Sequence, residues 1–506
     1  MADKPVASGT PQQKPAKIVP HEKVPRAKVE AVNKAEHRSL YAARKKIHPK
    51  RARGTFRTIK WWVMFVTLGI YYFSPWIRWD RGPGIPDQAI LVDLANSRFY
   101  FFFIEIWPQE VYYITGLLIL AAIGLFLVTS TAGRIWCGYT CPQTVWVDLF
   151  LVVERFFEGD RNQRIRLDNA PWSLSKLMKR AGKHVTWLII AVLTGGAWVF
   201  YMNDAPTLAM QLIHFEAPLT TYFWIMILTS TTYLLGGFAR EQVCTYMCPW
   251  PRIQGVMMDE DTLSVMYRHD RGEPRGPHKK GESWDGRGDC VQCRQCVVVC
   301  PAGIDIRDGM QLECIQCSLC IDACDSVMEK IGRPKGLIAY DSLANFERRK
   351  KGLKEKLHIV RPRTLLYTIF MIVVGGLILH GLMHRSNLEL NVLRDRNPLY
   401  VQLSSGDIRN GYTVKILNKT HQARKFSLAA SGLKHFDMRV EGVQETTADG
   451  LPVITVDKDR LRSVKVYLAT PRQDLTEDSI DIAFTARDLD SDSVSENSTT
   501  FKGPKK

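Results

Sequence analysis

The 506-residue chain has no cysteine outside a motif. Eight of its 12 cysteines fall between residues 290 and 324, and the other four are Cys137, Cys141, Cys244 and Cys248. Residues 385–506 contain none, which excludes a disulfide framework for that region. No G-x-G-x-x-G, P-loop or flavin signature appears, so nucleotide and flavin chemistry has no support in the sequence. The start, MADKPVASGT, lacks an apolar stretch, and no cleaved signal peptide is expected. The net charge of +17 would suit nucleic acid or a membrane. No nucleic-acid fold signature accompanies it, and the basic residues flank long apolar runs, as the positive-inside rule demands.

What is present is organised around Cys290 to Cys324. It opens CVQCRQCVVVCP and resumes at Cys314 with CIQCSLCIDACD. Each quartet is C-x2-C-x2-C-x3-C, the spacing of bacterial two-cluster ferredoxins, in which the fourth cysteine of each run reaches the other cluster. Cys290, Cys293, Cys296 and Cys324 are therefore assigned to one [4Fe–4S] cluster, and Cys314, Cys317, Cys320 and Cys300 to a second. Zinc sites use four ligands in split pairs rather than eight in two unbroken runs. Disulfides are disfavoured for a cytosolic stretch. Asp325 stands where a second proline would follow Cys324, which bears on the local turn but not on the ligands.

Residues 1–58 are rich in Lys, Arg, Pro and Ala and are expected to form a disordered basic tail. Its end, ARKKIHPKRARGTFRTIK, abuts an apolar segment and is expected to lie against anionic lipid. Five segments are apolar enough to span a bilayer, near 60–78, 111–130, 185–202, 221–239 and 364–383. Trp61, Trp62, Tyr71, Tyr72 and Trp76 suit an aromatic belt around the first. The connection 79–110 holds only Arg81 and Arg98, and 203–220 has no Lys or Arg, whereas 131–184 and 240–363 are heavily basic. This asymmetry predicts a cytoplasmic N-terminus and cysteine region and an exterior C-terminal region. The expected domains are a tail (1–58), a four-helix membrane domain (59–250), a two-cluster ferredoxin-like domain (251–363), a fifth transmembrane helix (364–384) and a β domain (385–506). In the last, LELNVL, YTVKIL, KFSLAA, PVITV, SVKVYLA and SIDIAF are β-rich runs between turns, indicating an all-β sandwich. The end, SDSVSENSTTFKGPKK, is expected to fray.

Two expected spans each lead into a C-x3-C-P motif, RIWCGYTCPQ (134–143) and EQVCTYMCPW (241–250), both with Tyr two residues after the first Cys. This is an internal repeat of about 107 residues. Parallel repeats pack around a shared axis, which would bring four thiols together beneath the membrane.

On these motifs the chain resembles the FixG/RdxA/CcoG family, the cytochrome c oxidase accessory proteins. The resemblance covers 40–500 and rests on CGYTCP, CTYMCPWPRIQ, CIQCSLCIDACD and RDRNPLYVQLSSGDIRNGYTVKILNKT. It implies a bacterial inner-membrane protein with two [4Fe–4S] clusters and a periplasmic immunoglobulin-like domain. It also implies reduction of Cu(II) to supply Cu(I) for cbb3-type oxidase assembly, with copper chaperones and assembly factors as partners and an electron donor left unidentified.

Residues i and i+4 share a helix face, so Cys137 with Cys141, and Cys244 with Cys248, are each expected to form a two-thiolate clamp. Soft thiolates select Cu(I). The bland alternative is a buried turn in which Pro142 and Pro249 merely stop helices. Met247, Met257, Met258 and Met266 are candidate helpers, although Met at such positions usually packs. His380 and His384 lie four apart, whereas haem wants His from facing elements; His214 is read as solvated. Two other functions stay open: a quinol-oxidising membrane ferredoxin serving a periplasmic reductase, and a scaffold for oxidase subunits.

Overall fold

The computed structural model describes residues 24–33, 46–82, 85–279, 281–386, 388–475, 477–491 and 493–504. Its contacts divide the chain into two units, Met1–Ile378 and Leu379–Lys506. The first opens with α1 (Thr55–Phe73), a small antiparallel sheet of β1 (Ile90–Asp93), β2 (Arg98–Phe101) and β3 (Ile104–Ile106), and α2 (Val111–Ala132). There follow α3 (Ile135–Tyr139), α4 (Pro142–Glu158), α5 (Arg161–Asn169), α6 (Leu174–Phe200), α7 (Ala205–Ile213) and α8 (Leu219–Thr232), the last continued by a π-helical stretch Tyr233–Ala239. The cysteine region holds α9 (Trp250–Met257), β4 (Ser264–Tyr267), α10 (His269–Gly272), α11 (Gln295–Val299), α12 (Leu319–Lys330), β5 (Ile338–Asp341) and α13 (Leu343–Lys350), and α14 (Pro362–Met383) closes the series.

Among the described residues four helical stretches are long and apolar enough to cross a membrane: Pro108–Ala132, Leu174–Phe200, Leu219–Ala239 and Pro362–Met383. The span expected near 60–78 is not among them. The helix there is α1, and its first turns carry Arg57 and Lys60, both buried and both turned onto Asp148 of α4 at 2.8 and 3.4 Å. Only about 13 residues of α1 lie beyond Lys60, roughly 20 Å of helix, so its uninterrupted apolar stretch is shorter than those of the other four. The span expected at 185–202 begins earlier, at Leu174, where the Ser173 hydroxyl accepts the Lys176 N–H and caps the helix.

Thr194 on α6 gathers its neighbours: Tyr71 of α1 donates to its carbonyl (2.8 Å), and its hydroxyl bonds Tyr72 (2.8 Å) and Trp146 of α4 (2.9 Å). Beside it Gly195 lets α8 approach so closely that an added Cβ would stand 2.9 Å from the Ile225 carbonyl oxygen.

The basic N-terminal tail corrects the expectation of disorder where it is described. Its composition gives it too little apolar surface to fold alone, but it docks. Ala27 N–H donates to Cys293 O (3.2 Å), Val32 N–H to Gly303 O (2.8 Å) and Lys50 N–H to Val298 O (2.9 Å). Ala31 joins the apolar cluster of Val291, Val297, Ile321 and Val327. Residues 1–23 and 34–45 lie outside the described residues.

The second unit holds β6 (Leu388–Arg394), β7 (Val401–Gln402), β8 (Ile408–Asn418), β9 (Arg424–Ser431), β10 (Asp437–Val440), β11 (Val453–Val456), β12 (Arg460–Thr470), β13 (Ser479–Asp488) and β14 (Val494–Lys502). Two antiparallel sheets result, β10-β12-β8-β6 with β7 against β8, and β11-β9-β13-β14. Period-two burial along β8 turns Tyr412, Val414 and Ile416 into a core shared with Phe426, Leu428, Phe484 and Phe501. Where it is described, the stretch expected to fray is instead a strand. β14 pairs with β13 along its length, and the fully buried Phe501 opposite Ile480 anchors it. Its Ser, Asn and Thr residues disguised the strand by composition.

Candidate metal centres

The two cysteine quartets share one backbone design. In each, the residues before and after the second cysteine are left-handed: Gln292 (φ 49°) and Arg294 (φ 57°), then Gln316 (φ 55°) and Ser318 (φ 64°). This alternation turns successive N–H groups toward one centre, a concavity suited to negative charge. The Gln295 amide bonds the Cys293 sulfur, the Gln316 amide bonds Cys314, and the Ala302 and Ile304 amides bond Cys300. Burial, then the charges of Cys296, Cys293 and Cys290, raises the Cys324 thiol well above its ordinary range. Cys300 is raised by burial and by Cys317 and Cys314. Each fourth cysteine thus stands with the triplet of the other run.

Burial also pushes Cys296 up to about 12 and Cys314 up to about 11. Such thiols are neutral until a metal displaces their protons. Four soft donors and inward-facing amides in each group fit two [4Fe–4S] clusters, which when bound supply one-electron transfer.

Asp325 explains why the runs end differently. Cys300 is extended (φ −69°, ψ 120°) ahead of Pro301, which ends α11. Asp325 is no helix breaker, so α12 runs through Cys324 to Lys330, and its carboxylate accepts the Gly336 N–H at 2.8 Å. One turn earlier Asp322 accepts the N–H groups of Phe56 (3.1 Å) and Arg57 (2.7 Å), capping α1 from the cysteine helix.

The four remaining thiols do come together, but not as clamps on helix faces. Cys137 lies in α3, whereas Cys141 is extended (φ −54°, ψ 128°) and only then does α4 begin at Pro142. Cys244 lies in a π-helical turn, Val243–Met247, and Cys248 is again extended (φ −83°, ψ 121°) before Pro249. A residue before proline is pushed out of the α region, so C-x3-C-P cannot keep both cysteines on one helix. Both turns close alike, through Cys141 N–H to Trp136 O (2.9 Å) and Cys248 N–H to Val243 O (2.8 Å). Burial and the charge of Cys141 push Cys137 up to about 11, with Arg134 opposing and Cys248 adding. Burial, then Cys141, Cys137 and Cys248, push Cys244 up to about 12. Cys137 and Cys244 each feel cysteines of both motifs, so the two turns lie side by side.

That site leans on the second quartet. An added Cβ on Gly138 would stand 2.7 Å from the carbonyl oxygens of both Ile315 and Gln316. Tyr139 is buried and bonds Ser318 and Tyr340, whereas its counterpart Tyr246 is exposed. The Cys137 thiol donates to Gln254 Oε1 at 3.2 Å, and Gln254 donates to Thr129 at 3.3 Å. A cavity of about 50 Å³ has Cys244, Arg240 and Gln143 on one wall and Pro301, Glu313 and Ile315 on another.

Gln254, Gln316, Tyr340 and Asp322 escaped the sequence reading, because each acts across more than a hundred residues of chain. Arg134 entered it only as a topology charge, although an arginine precedes both cysteine pairs, Arg134 and Arg240. The weaker candidates are scattered. Met247 is largely exposed, Met257 and Met258 stand at the end of α9, and Met266 is on β4. The rings of His380 and His384 lie 4.3 Å apart on one exposed helix face, and His214 is exposed.

A family model described as a 4Fe-4S dicluster domain matches residues 239–343, and another, a 4Fe-4S binding domain, matches 114–158. A third, the IG-like fold at the C-terminal of FixG, putative oxidoreductase, matches 378–504. The nitrogen fixation protein FixG of Rhizobium meliloti is 53% identical over 479 residues, covering 89% of this chain and 91% of that protein. The chain belongs to the FixG/RdxA/RdxB family. Two further members come from Cereibacter sphaeroides: RdxB is 54% identical over 85% of this chain and 90% of its own length, and RdxA 50% identical over 86% and 91%. As a family member this is an iron–sulfur protein with apolar helices long enough to cross a membrane and an immunoglobulin-like C-terminal unit.

Proposed function

We propose that this FixG/RdxA/RdxB protein is a membrane cupric reductase whose Cu(I) product serves cbb3-type cytochrome c oxidase assembly. The observation that carries the reading is the gathering of the half-buried Cys137, Cys141, Cys244 and Cys248 beside one another and against the loop of Cys314. Copper is the substrate. Cu(II) takes one electron there and becomes Cu(I), which four sulfurs hold better than any oxygen ligand. The bound iron–sulfur groups supply electrons singly, and the protein's part is to hold copper beside the Cys300/Cys314 quartet while excluding water. Copper chaperones and oxidase assembly factors receive the product. In this reading α1 completes five membrane crossings in the bacterial inner membrane. The Lys/Arg asymmetry puts the N-terminal segment and the eight clustered cysteines in the cytoplasm and the β unit in the periplasm.

The test is Cys→Ser replacement at 137/141, at 244/248 and at all four. Each double variant should keep about eight iron atoms, since eight other cysteines satisfy two cubanes, while Cu(II) reduction falls sharply. In this reading the four act as one site, so the quadruple variant should be little worse than either double. Full Cu(II) reduction in the quadruple variant would overturn the reading.

One observation favours a second reading. The 4Fe-4S binding match at 114–158 contains only Cys137 and Cys141, so the four thiols are candidates for a third iron–sulfur group. Wild-type protein would then hold about twelve iron atoms rather than about eight, and the double variants would lose the difference.

A further inference from the structure

Among the described residues Arg134 joins both C-x3-C-P turns to the second cysteine quartet. It is 4% exposed, between Gly133, whose left-handed backbone (φ 59°) ends α2, and the α3 turn that carries Cys137. Its own N–H donates to Gln316 Oε1 at 2.8 Å. Its guanidinium donates from Nη1 to the carbonyls of Leu312 and Cys314, the latter at 3.2 Å, and from Nη2 to the carbonyl of Pro251, three residues past Cys248. Among the described residues the hydrogen-bond partners of this guanidinium are neutral carbonyls, yet its charge acts on Cys137, Cys314, Glu313 and Cys244. A buried cation with no direct carboxylate partner is expensive unless something anionic lies near it. The groups that can become anionic here are chiefly sulfurs, on both sides of it.

We infer that Arg134 is a positioning residue whose fixed positive charge raises the reduction potential of the metal group held by Cys300, Cys314, Cys317 and Cys320 above that of its partner, so that the group facing the thiol site is the one of higher potential. The inference rests on the two-cluster part of the functional reading and not on copper. Charge near a cluster is a principal determinant of its potential. A cation held at 3.2 Å from the backbone of one ligand, in surroundings that exclude water, acts with little screening. The other quartet has its own basic neighbour: Arg307 feels Cys296 and Cys290, but Asp305, in a bidentate pair with it, largely neutralises that charge. Glu313 acts on both Arg134 and Cys314, but Arg134 is bonded to carbonyls whereas Arg307 is bonded to both oxygens of Asp305, so Arg134 is the less neutralised of the two cations.

The test uses full-length protein purified anaerobically in detergent, with iron content and redox titration followed by electron paramagnetic resonance. Wild type should show two resolved midpoints. R134Q, at unchanged iron content, should move one midpoint to more negative potential and leave the other in place. R134K, which keeps the charge, should restore the wild-type pair. Unmoved midpoints in R134Q, equal movement of both, or a shift in R134K as large as in R134Q would overturn the inference. If R134Q is recovered without its iron, R134K decides alone: unchanged midpoints are expected, and a shifted one refutes the role of charge. Wild-type protein without two clusters would instead overturn the functional reading.

Discussion

Replacing Gly138 by alanine tests how tightly the thiol site is seated on the cysteine loop. The new Cβ would lie 2.7 Å from the carbonyl oxygens of Ile315 and Gln316 and 2.9 Å from the Gln316 carbonyl carbon, where ordinary contact begins at 3.4 Å. The helix or the loop must therefore give by about 0.7 Å. The loop cannot yield freely, because Gln316 lies between Cys314 and Cys317 and its carbonyl accepts the Tyr340 and Ser318 hydroxyls. Overpacking of this kind costs about 1–3 kcal/mol. Alanine returns about 0.5–1 kcal/mol through its better helix propensity. The net is roughly 0.5–2 kcal/mol, a two- to thirty-fold larger population of the opened contact at a tenfold change per 1.4 kcal/mol. Iron release to a strong chelator, followed by absorbance, should become faster by that factor for about half of the iron, and Cu(II) reduction should fall alongside. Gly196→Ala is the control, since nothing lies within 4 Å of its new methyl. Iron retention in G138A equal to wild type would refute the packing argument.

Three further outcomes are expected. Asp322→Ala removes the acceptor of two N–H groups at the start of α1, and a lost cap is worth about 0.5–2 kcal/mol; limited proteolysis near Arg53 should quicken, and unchanged cleavage would count against the docking. Glu154 is fully buried between Arg164 (3.0 Å) and Arg240 (3.1 Å); burial alone would raise its pKa, but Arg240 and Arg164 hold it down at about 2 against an ordinary 4.5. Its folded pKa is the lower one, so this stabilisation of about 3 kcal/mol is present above pH 4.5 and is lost as pH falls toward 2. Glu154→Gln should lower the thermal midpoint at pH 7 and remove that part of the acid transition, both followed by tryptophan fluorescence. Reporters inserted at Asn203 and at Lys351 should read exterior and cytoplasm respectively, and the same side for both would mean that the crossings are miscounted.

Residue type and local spacing carried much of this protein. Two runs of C-x2-C-x2-C-x3-C announce a pair of cubane sites, because three thiols so spaced are already near one another in the chain. Continuous apolar runs announced α2, α6, α8 and α14, and period-two runs announced most of the β unit, because burial on one face is written directly into the pattern. Where local and long-range forces compete, the reading failed. Residues 60–78 look like an uninterrupted apolar run, and the sequence does not show that Arg57 and Lys60 at its start are neutralised by Asp148, a partner 91 residues from Arg57. The N-terminal segment looks disordered because its partners, Cys293, Val298 and Gly303, lie about 250 residues away and cannot be inferred from its composition. The C-x3-C-P pairs were legible as a repeat, but not their geometry, since proline unwinds the residue before it and the helix-face picture fails. The repeat already announced that the four thiols converge; only the tertiary structure decided that Gly138 and Tyr139 seat them on the loop of Cys314, and that Arg134 stands between the two sets of sulfurs. Those contacts join segments separated by more than a hundred residues, and their strength depends on burial, which a linear sequence does not specify.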